Sequence, residues 1–174
     1  MMNKTKRKWI ISVILICLCV VVGKYAINES NYVKQGEIKD YVNNNSSLLM
    51  EYAEQLLNDQ QDIIKVYRNK SDFPSADNSK EIYNHLRIDS IAVYKECYDE
   101  ADRVIIYLKN KPQSEDYYAC GIYYSPNDTI IDYFGDIQDG DSFEYDGTPN
   151  GTKIKYKSEK ICDYWYYFEE AVWN

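Results

Sequence analysis

The segments Ile88-Asp-Ser-Ile-Ala-Val-Tyr94, Arg103-Val-Ile-Ile-Tyr-Leu-Lys109 and Tyr117-Tyr-Ala-Cys-Gly-Ile-Tyr-Tyr124 decide the fold of this chain. All three are rich in β-branched and aromatic residues, and turn-forming residues lie between them, which is typical of strands. Because the connections are short, we expect neighbouring strands to pair antiparallel in a meander.

The carboxy-terminal part of the chain continues this pattern. Lys153-Ile-Lys-Tyr-Lys157 alternates like a strand with one solvated face, and Asp163 to Trp173 reads as an aromatic strand. Residues 132–151 are rich in glycine and predict loops with brief extended pieces. The sequence therefore predicts an antiparallel β-meander of four to six strands over residues 88–174.

A helical segment precedes the predicted sheet. Over residues 36–69, apolar residues recur at the spacing of one helix face. The polar run from Asn43 to Ser47 lowers helix propensity, so we expect either one long helix or a kinked pair. One more helical turn is predicted over residues 81–86. The predicted fold class is α+β, with the helix or helix pair packed on the sheet.

The amino-terminal residues predict a membrane anchor. Residues 1–8 contain four cations, and residues 9–27 carry a single charge, Lys24. This length approaches the roughly 20 residues of a membrane-spanning helix. The positive-inside rule places residues 1–8 in the cytoplasm and residues 28–174 outside, as a single extracytoplasmic domain. Because no small-residue cleavage site ends the apolar run, we favour an uncleaved signal-anchor in the cell membrane; secretion after cleavage is the alternative.

The charge of the outer part excludes one class of partner. Five of the 20 basic residues lie at or before Lys24 and none of the 28 acidic ones does, which leaves 15 basic against 28 acidic residues and a net charge of −13. Nucleic-acid binding needs a basic surface, so we expect no nucleic-acid partner. The predicted contact with the membrane is through residues 9–27 alone.

Three cysteines follow the anchor, at positions 97, 120 and 162. Cys120 lies inside an apolar strand and is expected in the core. Cys97 and Cys162 lie at the edges of elements, so we predict a disulfide between them; three buried thiols are the alternative.

The 19 tyrosines, against four phenylalanines, are the outlier of the composition. Most are expected on strand faces, with the ring packed against the protein and the hydroxyl near the solvated surface. Where a strand alternates, part of an aromatic cluster can instead form an exposed interaction surface for sugar or peptide. The predicted surface consists of Tyr123, Tyr124, Trp165, Tyr167 and Trp173.

No motif defines a reaction. Glu169 and Glu170 lie among aromatic residues that can raise a carboxyl pKa, but in a strand they face opposite sides and do not form a catalytic pair. The acidic loop from Asp132 to Asp141 lacks the spacing of an EF-hand, so we expect a solvated turn. We predict no catalytic residue, no cofactor and no metal.

Two segments resemble a known group of proteins. Gly121-Ile-Tyr-Tyr-Ser-Pro-Asn-Asp128 and Glu159-Lys-Ile-Cys-Asp-Tyr-Trp-Tyr-Tyr-Phe-Glu169 resemble elements of small, tyrosine-rich, membrane-anchored extracytoplasmic proteins of Gram-positive gut bacteria. The match departs at Asn127 and Phe168, and the anchor lacks a lipobox. The resemblance implies a bacterial cell-surface setting, and no catalytic residue carries over.

These observations favour a membrane-tethered extracytoplasmic binding module with a protein or glycan partner at the cell surface, and an accessory role in an envelope or secretion complex fits this setting. An enzyme is less expected. The alternatives are a membrane-held immunity-type protein and a cell-wall or glycan-directed enzyme. A cleft that brings Glu169 or Glu170 near another carboxylate would support the enzyme.

Overall fold

The structure is a computed structural model that describes residues 33–68, 71–73, 79–96, 101–109 and 117–173. In chain order the helices and strands are α1 (Gln35–Asp59), β1 (Ile64–Tyr67), α2 (Ser79–Leu86), β2 (Ile88–Tyr94), β3 (Arg103–Leu108), β4 (Tyr117–Tyr124), β5 (Ile130–Ile131), β6 (Ile137–Gln138), β7 (Ser142–Gly147), β8 (Lys153–Cys162) and β9 (Trp165–Trp173).

The predicted cytoplasmic stub (1–8) and membrane helix (9–27) lie outside the described residues. Within those residues, no helix has the length and apolar content needed to cross a membrane.

Seven strands form one antiparallel sheet in the order β1-β2-β3-β4-β9-β8-β7. Strands β1 to β4 form one meander and β7 to β9 another, and the two meanders join where β4 pairs with β9. The sheet is therefore larger than the four to six strands predicted, and it is not a single meander. Strand β7 was hidden from sequence analysis because the glycine-rich segment around it is typical of loops.

The prediction of helix to residue 69 is wrong beyond Asp59. Helix α1 ends there, and β1 follows and pairs antiparallel with β2, Val66 lying opposite Ala92. β-branched residues in this segment favour a strand once an open sheet edge is available. Within α1, Asn45 has non-helical angles (φ −130°, ψ 21°) and its side-chain amide donates to the Tyr41 carbonyl at 2.8 Å. The polar run thus kinks the helix without ending it.

The helices cover one face of the sheet, which confirms the predicted α+β packing. Leu49 and Leu56 of α1 and Ile82 of α2 lie in one core with side chains of the central strands, among them Ile106 and Trp165. We call this the helix side. Burial of these apolar side chains is the main favourable term that holds α1 and α2 on the sheet.

The opposite face carries a second, more aromatic core. There the small β5–β6 hairpin packs through Ile130 and Ile131 on Tyr123, Tyr166 and Phe168 of the sheet. We call this the hairpin side. The sheet is thus buried on both faces in its middle, which explains why β4 is buried along most of its length.

Gly121 allows the aromatic rings of the hairpin side to meet. It lies in β4 between Tyr107 of β3 and Phe168 of β9, and those two rings pack edge to face over it with centroids 5.6 Å apart. A Cβ at position 121 would clash with the Ile106 carbonyl and lie 2.8 Å from the Phe168 ring. Backbone cannot move aside as a flexible side chain can, so the site requires glycine.

We therefore expect Gly121→Ala to lower the free energy of unfolding by about 2 kcal/mol or more, through overpacking. Urea unfolding of the full chain, followed by circular dichroism, measures the loss. Gly36→Ala is the matched control, because Gly36 lies in α1 and a Cβ there meets nothing within 4 Å. It should be neutral or up to about 1 kcal/mol stabilising. Equal losses in both variants would contradict the packing argument.

Candidate functional site

A cavity of about 80 Å³ lies on the hairpin side, between the sheet and the loop that joins β5 to β6. Six aromatic rings form most of its wall: Tyr94, Tyr107, Tyr123, Tyr133, Tyr156 and Phe168. Three charged residues, Arg103, Asp132 and Glu170, complete it. We call it the hairpin-side cavity.

Strand register explains why these side chains converge. Side chains alternate between the two faces of a sheet, and directly paired residues share a face. Tyr156 and Ala119 both lie opposite Glu170, and Gly121 lies opposite both Tyr107 and Phe168. One row of alternate residues across β3, β4, β9 and β8 therefore forms the floor of the cavity.

Glu170 is the chemically unusual group of the cavity. Its neighbour on β4 is the small Ala119 and its neighbour on β8 is Tyr156, so its carboxyl lies among the rings of the cavity. Burial raises the pKa of this carboxyl to about 7. Within the described part of the chain it makes no hydrogen bond and no ion pair. A buried carboxylate without a partner is costly, which is why the proton is retained.

Arg103 occupies the other end of the cavity and is 7% exposed. Its guanidinium lies 4.1 Å from the centre of the Tyr94 ring, and Nη1 donates to the Ala101 carbonyl at 3.1 Å. Burial alone shifts the pKa of Glu170, with no contribution from Arg103. The cavity therefore has a cationic end and an acidic end.

Asp132 holds the hairpin and is fully engaged. Its Oδ1 accepts from the backbone N–H groups of Phe134 at 2.8 Å and Asp136 at 3.0 Å, and its Oδ2 accepts from Gln138 Nε2 at 2.8 Å. Side-chain to backbone bonds of this kind are typical of turns that aspartate initiates. Asp132 thus shapes the cavity wall.

Two of the tyrosine hydroxyls fasten the hairpin to the sheet. Tyr156 donates to the Ile131 carbonyl at 3.0 Å, and Tyr123 accepts from the Ile131 N–H at 3.0 Å. The hydroxyls of Tyr107 and Tyr133, by contrast, have no hydrogen-bond partner among the residues described. Burial, with Glu170 nearby, raises the pKa of both phenols, which are therefore neutral at physiological pH.

The predicted aromatic surface is not formed as expected. Tyr123, Tyr124, Trp165 and Tyr167 are each at most 3% exposed, so burial corrects their placement on an exposed patch. Tyr124, Trp165 and Tyr167 belong to the core of the helix side, and Tyr123 lines the hairpin-side cavity. Trp173 is half-buried, with the Lys153 ammonium 5.4 Å from its ring centre. Both faces of the central strands are covered, which local alternation alone does not reveal.

The predicted disulfide stays a prediction. Cys162 ends β8 as a half-buried free thiol, and Cys97 lies outside the described residues. Cys120 is buried in β4, as its apolar surroundings in the sequence indicated.

Sequence analysis placed Glu169 and Glu170 on opposite sides of a strand, and the structure agrees. The Tyr167 hydroxyl donates to Glu169 at 2.8 Å, while Glu170 faces the hairpin-side cavity. Tyr107, Tyr133 and Tyr156 were not singled out. Their meeting depends on the pairing of strands far apart in the chain, and the only local signal was the tyrosine content itself.

A wider groove of about 690 Å³ lies open at the β7–β8–β9 end of the sheet. Four of its charges pair, Lys155 with Asp146 at 3.1 Å and Lys157 with Glu144 at 4.0 Å, while Glu170 and Tyr156 line this groove as well as the hairpin-side cavity. The four paired side chains are largely exposed, and such pairs contribute little. The smaller cavity, with its unpaired and partly buried carboxyl, is the stronger candidate site.

No family model, curated protein or solved structure matches this chain. Among the described residues, no group of three His, Cys, Asp or Glu side chains is placed to hold a metal ion. The hairpin-side cavity must therefore be interpreted from its own chemistry.

We expect Glu170→Gln to stabilise the protein at about pH 8. The folded-state pKa of about 7 lies above the ordinary value of 4.5 for a glutamate, so the folded protein holds a proton that the unfolded chain releases. The stabilising contribution of that proton is complete below the unfolded pKa and is lost as pH rises through the folded one. The wild type should lose on the order of 2 kcal/mol relative to the variant between about pH 4 and pH 8, after a discount for partial exposure.

Thermal or urea unfolding over this pH range measures the difference. Glu169→Gln changes the neighbouring carboxyl on the other face and should leave the pH-dependent loss in place. If Glu170→Gln shows the same pH dependence as the wild type, the carboxyl is not buried as described.

Proposed function

We propose that this protein is a non-enzymatic binding module, tethered to the outer face of a cell membrane, that receives part of its partner in the hairpin-side cavity. The observation that carries the proposal is Glu170, a partly buried carboxyl that no described residue bonds or pairs with, in a cavity walled by aromatic rings. Concave aromatic sites with few polar groups are typical of ligand binding, and perturbed titratable groups concentrate in functional sites.

The tether and the location rest on the sequence. Four cations in residues 1–8 precede the nearly uncharged residues 9–27, which favours a signal-anchor with its amino terminus in the cytoplasm. The net charge of −13 beyond Lys24 favours partners that carry positive or neutral groups. A protein or a glycan of the cell surface fits both conditions.

Two features favour a binding module over a glycan-directed enzyme: the small volume of the hairpin-side cavity, and the hydrogen bonds that already occupy its second carboxylate, Asp132. Sites for small molecules usually measure roughly 300–1,000 Å³, and the hairpin-side cavity measures about 80 Å³. Glycoside hydrolysis also needs a second free carboxylate, whereas Asp132 has both oxygens engaged in its own loop. The hairpin-side cavity suits the end of a chain and is too small for a sugar ring, whereas the groove of about 690 Å³ that Glu170 also lines has room for the rest of a partner.

Site-specific photocrosslinking in living cells tests the proposal. A photoreactive phenylalanine replaces Tyr133 at the cavity wall in the full chain, and the matched control carries it at Tyr164, which is 38% exposed in the β8–β9 turn. We expect a discrete adduct from position 133 and none from position 164. An impermeant protease added to intact cells should digest the domain while sparing the cytoplasmic end.

Identical adducts at positions 133 and 164, or none at 133, would contradict binding at the cavity. Protection of the domain from external protease would contradict the extracytoplasmic location.

A further inference from the structure

We infer that the hairpin-side cavity recognises a primary alkylammonium group, the end of an unbranched aminoalkyl chain carried by a larger molecule. This inference rests on the proposed function and names the chemistry of its ligand. The juxtaposition that carries it is the Glu170 carboxyl together with the Tyr107 and Tyr133 hydroxyls at one aromatic cavity.

The hydrogen-bonding inventory of the cavity matches an ammonium group. A primary ammonium has three N–H donors and no acceptor. The acidic end of the cavity offers three acceptors that no described group uses: Glu170, Tyr107 and Tyr133. The hydroxyls of Tyr123 and Tyr156 are already bound to Ile131, so they do not compete.

The walls also favour a cation. The faces of aromatic rings attract cations, and the attraction grows when the site is desolvated. The rings lie at several angles around the space: Tyr107 is perpendicular to Phe168 and Tyr133 is inclined by 67° to Tyr156. A cation beside Glu170 would lie among these rings, where contact with a ring face is favourable and contact with a ring edge is not. An anion there would face both the carboxyl and the rings.

The volume of the hairpin-side cavity limits what enters it to a chain end, while the wider groove that Glu170 also lines has room for the molecule that carries this chain end. A cavity of 150 Å³ accommodates benzene, and this one measures about 80 Å³. It has room for an ammonium group and one or two methylenes. A lysine side chain and an ethanolamine group share this chemistry, and both can be presented by a larger molecule.

Arg103, the cation of the cavity itself, does not pair with Glu170. Its guanidinium stacks on Tyr94 and bonds Ala101, and the pKa of Glu170 carries no contribution from it. Among the described residues no cation pairs with Glu170, and the ligand ammonium would supply one.

Binding is coupled to the loss of a proton from Glu170. The titratable side chains around this carboxyl are Tyr107 of β3, Tyr117 of β4, Tyr145 of β7, Tyr156 of β8, and Asp132 and Tyr133 of the hairpin, with Arg103 at the far end. Burial raises the pKa of the Tyr107, Tyr117, Tyr133 and Tyr156 phenols above the ordinary value of 10, so these four stay neutral. Affinity for an ammonium ion should therefore rise with pH up to about pH 8, as Glu170 becomes charged.

Calorimetric titration of the full chain in detergent micelles tests the inference, with n-butylammonium chloride as probe at about pH 8 and constant ionic strength. We expect saturable binding that weakens at least roughly fivefold at about pH 6, because most Glu170 is then protonated. Tetramethylammonium, which has no N–H donor, should bind roughly tenfold more weakly. n-Butanol should not bind.

Variants test whether ammonium binding depends on the Glu170 carboxyl or only on the negative charge of the protein surface. Glu170→Gln should weaken n-butylammonium binding at least roughly tenfold, and Tyr107→Phe roughly threefold, while Glu169→Gln leaves it unchanged. Thermal unfolding and tryptophan fluorescence report whether each variant is folded. Tyr107→Phe removes only the hydroxyl and retains the ring over Gly121. Its effect on binding can therefore still be measured if Glu170→Gln misfolds. Equal affinity in the wild type and a folded Glu170→Gln would overturn the inference, as would equal binding of n-butanol.

Two further titrations distinguish the sources of the ammonium group. Nα-acetyl-lysine methylamide represents a protein partner, and phosphoethanolamine represents a lipid or glycan substituent. Binding of either compound supports the inference, and the compound with the lower dissociation constant identifies the source of the ammonium group. If neither compound binds and n-butylammonium does not bind either, the inference is overturned.

The inference and the proposed function fail in different ways. A photocrosslinked partner at position 133 without any ammonium binding leaves the binding module intact and rejects the ligand chemistry. Ammonium binding without a partner in cells supports the chemistry and rejects the proposed cellular function.

Discussion

The pairing of β4 with β9 is the constraint on which the rest of the structure depends. It joins residues 117–124 to residues 165–173, from Tyr117 opposite Val172 to Tyr124 opposite Trp165. Without it the chain would have two separate meanders, each with an open edge. The same pairing places Trp165 under the helices and Phe168 under the hairpin, so both cores depend on one register. A slip by one residue would exchange the two faces.

The hairpin-side cavity is a consequence of small residues within this pairing. Ala119 and Gly121 lie side by side on the hairpin face of β4. Gly121 lets Tyr107 and Phe168 meet, and Ala119 leaves room in front of Glu170. The hairpin then closes the space through Ile131, which two tyrosine hydroxyls hold. An acidic group is thus sheltered from water by packing that also stabilises the fold.

The sequence predicted what depends on local pattern. The strands at residues 88–94, 103–108 and 117–124, the kink near Asn45 and the opposite facing of Glu169 and Glu170 all follow from periodicity. It did not predict β1 or β7, because one was taken for helix and the other for loop. It also could not reveal the cavity, since Tyr107, Tyr156 and Glu170 meet only through long-range pairing. The prediction of an exposed aromatic surface was wrong for the same reason, because Tyr123 is covered by the hairpin through a tertiary contact.

The place of β9 in the sheet also affects how the protein is made. This strand has partners on both sides, yet among the described strands it comes last in chain order. A nascent chain that has not reached residue 165 therefore displays two unpaired edges, on β4 and on β8, and neither core has its full set of side chains. Such edges recruit other strands. Closure of the sheet is therefore a single event that waits for residues 165–173 and completes both cores at once.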